Sequence, residues 1–381
     1  MTIHNVHDAK VLKHLISLAR SPHTFLSLYM PIDLGQTTPE SLHTRLRDAL
    51  DQVERHVEAT KDPNAHKAFC TDRQRVEQEV EGLRPDGLAL AVFSAQEIGT
   101  LIAYWLPRPV RDVHAHYGQG ALVLPLLDML DEFEPVALAL VEKESARVMV
   151  FEAGILESDE RFSYSIVPYS APGAAEKKAR GHENKELAQE FQTVVEALEK
   201  RHDVYPFRRL FLSGTNDVVS LFKTVLPAPL LQVLAGDVAL DVRAPDNVIQ
   251  GILLKASEEM ERRQEEELVE GLVTRAHKND RAVIGLADTL DALNQDRVQL
   301  LVLTMDVPDG GRRCEDCHAL LAADSPRCPV CGGRSLADVS LQAELPLMAL
   351  RQSADIEVVH GPAAQRLGAL QSIGALTRFT T

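Results

Sequence analysis

Two pairs of cysteines near the C-terminal end constrain the fold of this 381-residue chain more than any other feature. Cys314 and Cys317 form one Cys-x-x-Cys pair, and Cys328 and Cys331 form the other. Each pair can place two thiolates on one ion, so two pairs complete a tetrahedral shell that has no open position for a substrate. Four thiolates suit zinc or iron, and the ribbon spacing favours zinc. The sequence therefore predicts a structural Zn²⁺ site that holds together a small lobe at residues 309–335.

Two other interpretations of these side chains are weighed against zinc. The cysteines could form a redox-active disulfide pair, although a cytoplasmic chain keeps its thiols reduced. His318 could replace one cysteine as a ligand, although four cysteines already fill the shell. The fifth cysteine, Cys70, is interpreted as a buried or inert thiol.

The composition is that of an ordinary globular protein, with 45% hydrophobic residues. The formal net charge of −16 argues against a protein that coats nucleic acid, although one local basic patch can still contact RNA. No apolar run is long enough to cross a bilayer, and the first residues lack the features of a signal peptide. These observations predict a cytoplasmic protein without a membrane partner, and we expect a monomer.

Helical patterns alternate with short apolar strands along the chain, which predicts the α/β class. We expect three α/β domains, at residues 1–133, 134–245 and 246–381. The stretch 162–167 has the pattern of a strand. The stretch 170–185 lacks apolar periodicity and is predicted to be a long exposed loop.

Three features of the last third of the chain occur together in a known family. A strand pattern at 282–286 precedes a short helix and a second strand, Val298-Gln-Leu-Leu-Val-Leu303, and the cysteine pairs follow that strand. The chain ends in Gly368-Ala-Leu-Gln-Ser-Ile-Gly-Ala-Leu-Thr-Arg-Phe379. This order resembles the C-terminal domain of archaeal and eukaryotic class-one peptide chain release factors and their relative Pelota. The resemblance implies a C-terminal α/β/α sandwich similar to the kink-turn RNA-binding ribosomal-protein fold, with an inserted zinc ribbon.

The resemblance continues upstream in two further stretches. Phe25-Leu-Ser-Leu-Tyr-Met-Pro31 is similar to the opening strand of the first domain in the bacterial branch of the superfamily. Residues 138–154 are similar to the opening of its central domain. The resemblance implies a factor that binds the ribosome and ribosomal RNA, with a translational GTPase as a further partner.

Two motifs that carry termination activity in the family are absent from this sequence. The central domain of the family bears Gly-Gly-Gln on a loop that enters the peptidyl-transferase centre, and the first domain bears Asn-Ile-Lys-Ser, which supports stop-codon reading. The equivalent loop here runs from Lys177 to Lys185, and its nearest remnant of the tripeptide is Gly181-His182-Glu183. We therefore expect no hydrolysis of the peptidyl-tRNA ester, while keeping a hydrolase that uses Gly181, His182 and Glu183 as an alternative.

The same stretch supplies the best candidate for contact with RNA in this acidic chain. Lys177, Lys178, Arg180 and Lys185 place four basic side chains close together, and phosphate attraction needs only local positive charge. A solvated segment of mixed charge is the alternative.

Together these features predict a release-factor-like translation factor that occupies the ribosomal site at which tRNA enters. Its expected setting is ribosome hibernation, stalling or rescue. A third interpretation is an adaptor that docks a translational GTPase.

Overall fold

The protein is described here from a computed structural model. It covers residues 4–5, 9–33, 37–59, 61–81, 83–84, 86–106, 110, 113–129, 134–152, 155–165, 176–240 and 244–379. The chain divides into two compact units, a smaller one at Glu132–Glu261 and a larger one that joins Met1–Asp131 to Arg262–Thr381. Helices and four sheets lie within the described residues, which confirms the mixed α/β class. None of the described helices is both long enough and apolar enough to span a membrane.

The N-terminal part of the larger unit is a mixed sheet with a helical hairpin on one face. Its strands run in the order β1-β4-β3-β2-β5. The apolar stripe of α2, with Leu46 and Leu50, packs with Phe69 of α3 and with Leu28 of β2. Asp62 caps α3 by accepting hydrogen bonds from the backbone N–H groups of the first turn. The elements are β1 (His4–Asn5), α1 (Ala9–Ser17), β2 (Thr24–Pro31), α2 (Pro39–Ala59), α3 (Pro63–Val80), β3 (Ala89–Ala95), β4 (Thr100–Leu106), β5 (His114–Gln119) and α4 (Leu124–Leu127).

The smaller unit is a five-stranded sheet with helices on both faces. The strand order is β10-β9-β6-β7-β8, in which β6, β9 and β10 run parallel. Helices α5 and α6 cover one face through Phe191 and Phe222, and the start of α8 covers the other through Ile249 and Leu253. The elements are β6 (Val136–Val141), β7 (Ser145–Glu152), β8 (Ile155–Ser163), α5 (Glu176–Val204), β9 (Arg209–Ser213), α6 (Asn216–Lys223), α7 (Ala228–Gln232), β10 (Leu234–Asp237) and α8 (Asp246–His277).

The C-terminal part of the larger unit is also layered. Its four-stranded sheet has the order β11-β17-β12-β16. Val269 and Leu272 of α8 pack with α11 on one face, and Leu293 of α9 packs with Leu345 of α10 on the other. The likeness of this layer order to the kink-turn RNA-binding fold stays a prediction. The elements are β11 (Ala282–Ile284), α9 (Leu286–Asn294), β12 (Val298–Leu303), β13 (Gly310–Cys314), β14 (Leu320–Ala322), β15 (Leu336–Ser340), α10 (Leu341–Arg351), β16 (Asp355–Val358), α11 (Gly361–Gly368) and β17 (Ile373–Thr377).

Strands β8 and β5 are among those that differ from the sequence prediction. The third strand of the smaller unit spans Ile155–Ser163 rather than 162–167, of which residues 166 and 167 lie outside the described part of the chain. The charged run in β8 hides the strand pattern, because β8 is an edge strand whose exposed side chains carry no apolar alternation. Strand β5 was not predicted, since its sequence His-Ala-His-Tyr-Gly-Gln is mostly polar, and its pairing with β2 defines it.

Candidate metal centre and RNA-contact segment

The four paired cysteines lie together beside a small three-stranded sheet. Strand β13 pairs antiparallel with β14 and β15, and Cys314 is the last residue of β13. Cys314 and Cys328 are buried, while Cys331 is exposed at the rim. The four sulfur atoms all lie within 4.8 Å of one another. The structure therefore brings together all four predicted ligands.

Each cysteine pair sits in a turn of the same shape. The fourth residue after the first cysteine donates its backbone N–H to the carbonyl of that cysteine, from His318 to Cys314 and from Gly332 to Cys328, both at 2.9 Å. Both donors have a left-handed backbone, with φ values of 62° for His318 and 77° for Gly332. His318 thus has a place in the turn, and the four cysteines supply a full shell without it.

The distances between sulfur atoms suit a shared ion better than a disulfide. Cys314 and Cys331 Sγ are 3.6 Å apart, and Cys317 and Cys328 Sγ are 3.5 Å apart. A tetrahedral zinc shell with bonds of about 2.3 Å separates its sulfur ligands by roughly 3.8 Å, whereas a disulfide bond is about 2.05 Å long. The geometry fits a closed Zn²⁺ site.

The thiol pKa values show why a cation suits this cluster. Burial opposes ionisation of Cys328, yet the backbone N–H groups of Cys331 and Val330 lower its pKa to about 7. The Gly333 N–H favours ionisation of Cys331, but the thiols of Cys317 and Cys314 outweigh it and raise the pKa of Cys331 to about 12. Several thiolates at this spacing therefore need a positive ion among them.

The predicted RNA-contact segment is not a loop where the structure describes it. Helix α5 begins at Glu176, so Lys177, Lys178 and Arg180 lie in its first turns and Lys185 lies farther along it. The prediction of a loop at 170–185 is wrong for residues 176–185, and residues 170–175 lie outside the described part. Glu, Lys, Ala and Arg are strong helix formers, and a helix end made of charged residues carries no apolar stripe to reveal it in the sequence.

The tripeptide remnant shares this helix. Gly181, His182 and Glu183 all have helical backbone. The His182 Nε2 atom lies 3.2 Å from Glu186 Oε1, one turn farther along. Since a helix commits its backbone N–H groups beyond the first turn to its own carbonyls, these residues offer no free N–H group of the kind an oxyanion hole uses. Their assignment as catalytic or RNA-binding residues stays a prediction.

One cluster in the larger unit was missed by sequence reasoning. Glu54, His66 and Cys70 each bring one ligand-type atom within 4.8 Å of the others. The readable signal was the four-residue spacing of His66 and Cys70 on one helix and of Glu54 and Glu58 on the other. The sequence prediction treated Cys70 as a buried or inert thiol, whereas the structure leaves it partly exposed beside Glu54 and His66.

Comparison with known proteins gives one match by family and several by structure. Residues 122–261 match the family described as Bacterial archaeo-eukaryotic release factor family 10. No curated protein matches the chain. The matched segment ends at residue 261, where the smaller unit also ends.

The similar solved structures have low sequence identity. A crystal structure of the archaeal translation termination factor aRF1 is 15% identical, covers 98% of each chain and has a TM-score of 0.27. S. cerevisiae Dom34, described as a termination-like factor that interacts with Hbs1, is 13% identical over 77% of this chain and 80% of its own, with a TM-score of 0.41. Archaeal Pelota, from a model of Pelota and ABCE1 bound to the ribosome, is 12% identical over 99% and 96%, with a TM-score of 0.43.

TM-scores this low do not establish a shared fold, so the relation to release factors rests on the family match. Residues 122–261 match this release-factor family, which supports the superfamily placement that the sequence motifs predicted.

Proposed function

We propose that this protein is a translation factor that binds the ribosome at the site where tRNA enters and does not hydrolyse the peptidyl-tRNA ester. The observation that carries the proposal is the family match at residues 122–261 in a sequence that has no Gly-Gly-Gln tripeptide. Ribosome hibernation, stalling or rescue is the setting that such a factor would serve. A translational GTPase is the protein partner that the family resemblance suggests.

The start of α5 supports the loss of hydrolysis. Release chemistry of the family type needs a flexible glycine-rich tip that brings a backbone N–H group close to the ester. Here residues 176–185 are helical, and the His182 side chain lies against Glu186. A carboxylate at Glu183 would also be repelled by the phosphates around the peptidyl-transferase centre. The alternative hydrolase therefore has no supporting geometry in the described residues.

The same helix supports contact with ribosomal RNA. Three basic residues, Lys177, Lys178 and Arg180, lie within its first two turns, where the helix dipole also favours phosphate. In a chain with a net charge of −16, such local clusters must supply the attraction to RNA.

Zinc is the further component of the proposal. Cys314, Cys317, Cys328 and Cys331 would hold it, and its closed shell assigns it a structural role. The few apolar residues packed within this lobe leave much of its stability to the ion.

Co-sedimentation of the full chain with ribosomes across a salt series tests ribosome binding. The variant Lys177→Ala, Lys178→Ala, Arg180→Ala should bind more weakly, and its log–log salt slope should be shallower by about 0.7–0.9 for each phosphate that it no longer neutralises. The control Lys143→Ala, Lys200→Ala, Lys255→Ala removes the same charge from exposed positions elsewhere and should bind like the parent. Lack of ribosome association at low salt would remove the proposal. Equally weakened binding in both variants would reject the α5 contact.

Release of labelled peptide from loaded ribosomes tests the chemistry separately. We expect no release above the rate without factor, for the parent and for His182→Ala alike. Release by the parent that His182→Ala abolishes would establish the hydrolase instead.

A further inference from the structure

The α2–α3 hairpin carries a second group of metal-binding side chains, far in sequence from the cysteine ribbon. Glu54 lies on α2, and His66 and Cys70 lie one turn apart on α3. Each offers one ligand atom, and the three atoms lie within 4.8 Å of one another. The set mixes oxygen, nitrogen and sulfur, the three donor types that zinc accepts.

The distances between these atoms match the edges of a zinc tetrahedron. His66 Nε2 is 3.3 Å from Glu54 Oε1 and 3.7 Å from Cys70 Sγ, and Cys70 Sγ is 3.8 Å from Glu54 Oε1. Zinc bonds of about 2.0–2.3 Å give edges of roughly 3.3–3.8 Å in a tetrahedral shell. All three separations fall in that range.

A further carboxylate and an outer partner flank the three ligands. Glu58 follows Glu54 by one turn of α2, and its Oε1 lies 3.6 Å from His66 Nε2. Arg73 donates to Glu54 Oε2 at 2.5 Å, which leaves Glu54 Oε1 directed at His66 and Cys70. Such outer hydrogen bonds fix the orientation of ligating carboxylates.

We propose that Glu54, His66 and Cys70 form a Zn²⁺ site that joins α2 to α3, with the exposed Glu58 side chain turning in as the fourth ligand. Two carboxylates and one thiolate supply three negative charges for the ion, and the Arg73 guanidinium, which Asp51 and Glu77 also share, offsets part of them. Zinc is favoured over magnesium or calcium because a thiolate and an imidazole take part. On binding, Cys70 loses its thiol proton to solvent and the S–Zn bond forms, with no change of oxidation state.

A reactive cysteine is the competing interpretation, and the surroundings of Cys70 oppose it. The negatively charged Glu54 carboxylate lies 3.8 Å from Cys70 Sγ. A nucleophilic cysteine needs the opposite environment.

Zinc content of the full chain after dialysis tests the site. The variants His66→Gln and Cys70→Ser should each bind one equivalent of zinc less than the parent protein. His43→Gln, the same substitution as His66→Gln but on α2 outside the cluster, should bind as much as the parent. Cys328→Ser removes the ribbon equivalent instead, so failure at one site is distinguishable from failure at the other. Unchanged zinc content in both His66→Gln and Cys70→Ser would overturn the proposal.

Hydrogen exchange gives a second measurement that does not depend on how the variants fold. In the parent, zinc at 100 times its Kd should slow the exchange of amides in α2 and α3 by about 100-fold where opening releases the ion. Exchange in these helices that does not respond to zinc would also overturn the proposal.

Discussion

Arg147 is the charged residue whose removal should most damage the smaller unit. Its guanidinium donates to both oxygens of Asp159, at 2.7 and 2.9 Å, and to Asp246 at 2.7 Å. The Arg147 side chain is 6% exposed, while that of Asp159 is 27% and that of Asp246 is 54% exposed. The interaction joins strands β7 and β8 to the first residue of α8.

Arg147→Met keeps most of the apolar stem and removes the charge. Hydrogen bonds to charged groups contribute about 1.5–3 kcal/mol, and we assign that range to the paired bonds with Asp159. The half-exposed bond to Asp246 adds at most about 1 kcal/mol. The expected decrease in the unfolding free energy of the smaller unit is about 2–4 kcal/mol.

Arg161→Met is the matched control. Arg161 pairs across the strands with Arg147 and lies 3.4 Å from the same Asp159 carboxylate, but its side chain is 70% exposed. Because exposed ion pairs contribute little, this variant should be destabilised by no more than about 1 kcal/mol.

Hydrogen exchange of the core strands β6 and β9 measures the difference without requiring the whole chain to unfold in one step. The expected destabilisation corresponds to roughly 30- to 700-fold faster exchange in Arg147→Met. Strand β3 in the larger unit is the internal reference and should be unchanged. Exchange in Arg147→Met within threefold of that in Arg161→Met would refute the reasoning.

Three further results follow from the described contacts. Arg147, with a smaller contribution from Arg161, lowers the pKa of Asp159 below 3.8 despite some burial, so the unfolded chain binds this proton at a higher pH than the folded chain does. The protection of β7 and β8 amides from hydrogen exchange should therefore fall as the pH drops from about 4, and it should fall less steeply in Arg147→Met. The hydrogen bond to Asp128 raises the pKa of His360 above 6.5, although burial opposes this shift. The stability that this pair adds is therefore fully present below pH 6.5 and is lost as the pH rises through the raised pKa of the folded state. Denaturant unfolding followed by the fluorescence of Trp105 should show that loss in the parent, and the loss should be smaller in His360→Gln. Chelation of zinc, or Cys328→Ser, should abolish slow amide exchange in β13 and β15, and unchanged protection would show that the ribbon folds without metal.

Sequence spacing predicted the features that depend on neighbours along the chain. Two Cys-x-x-Cys turns form within a few residues each, so their ligand geometry is readable before the fold is known. The run Val298–Leu303 likewise indicated a strand that the structure contains. The absence of Gly-Gly-Gln is also a property of the sequence alone.

Tertiary structure decided what depends on packing between distant segments. The start of α5 at Glu176 escaped prediction, because a charged helix end has no apolar period to reveal it. Glu54 meets Cys70 only because α2 and α3 pack side by side. Arg147 and Asp246 are 99 residues apart and meet only because α8 covers the sheet of the smaller unit. Local spacing fixes which side chains share a turn, whereas burial of apolar faces fixes which turns come together.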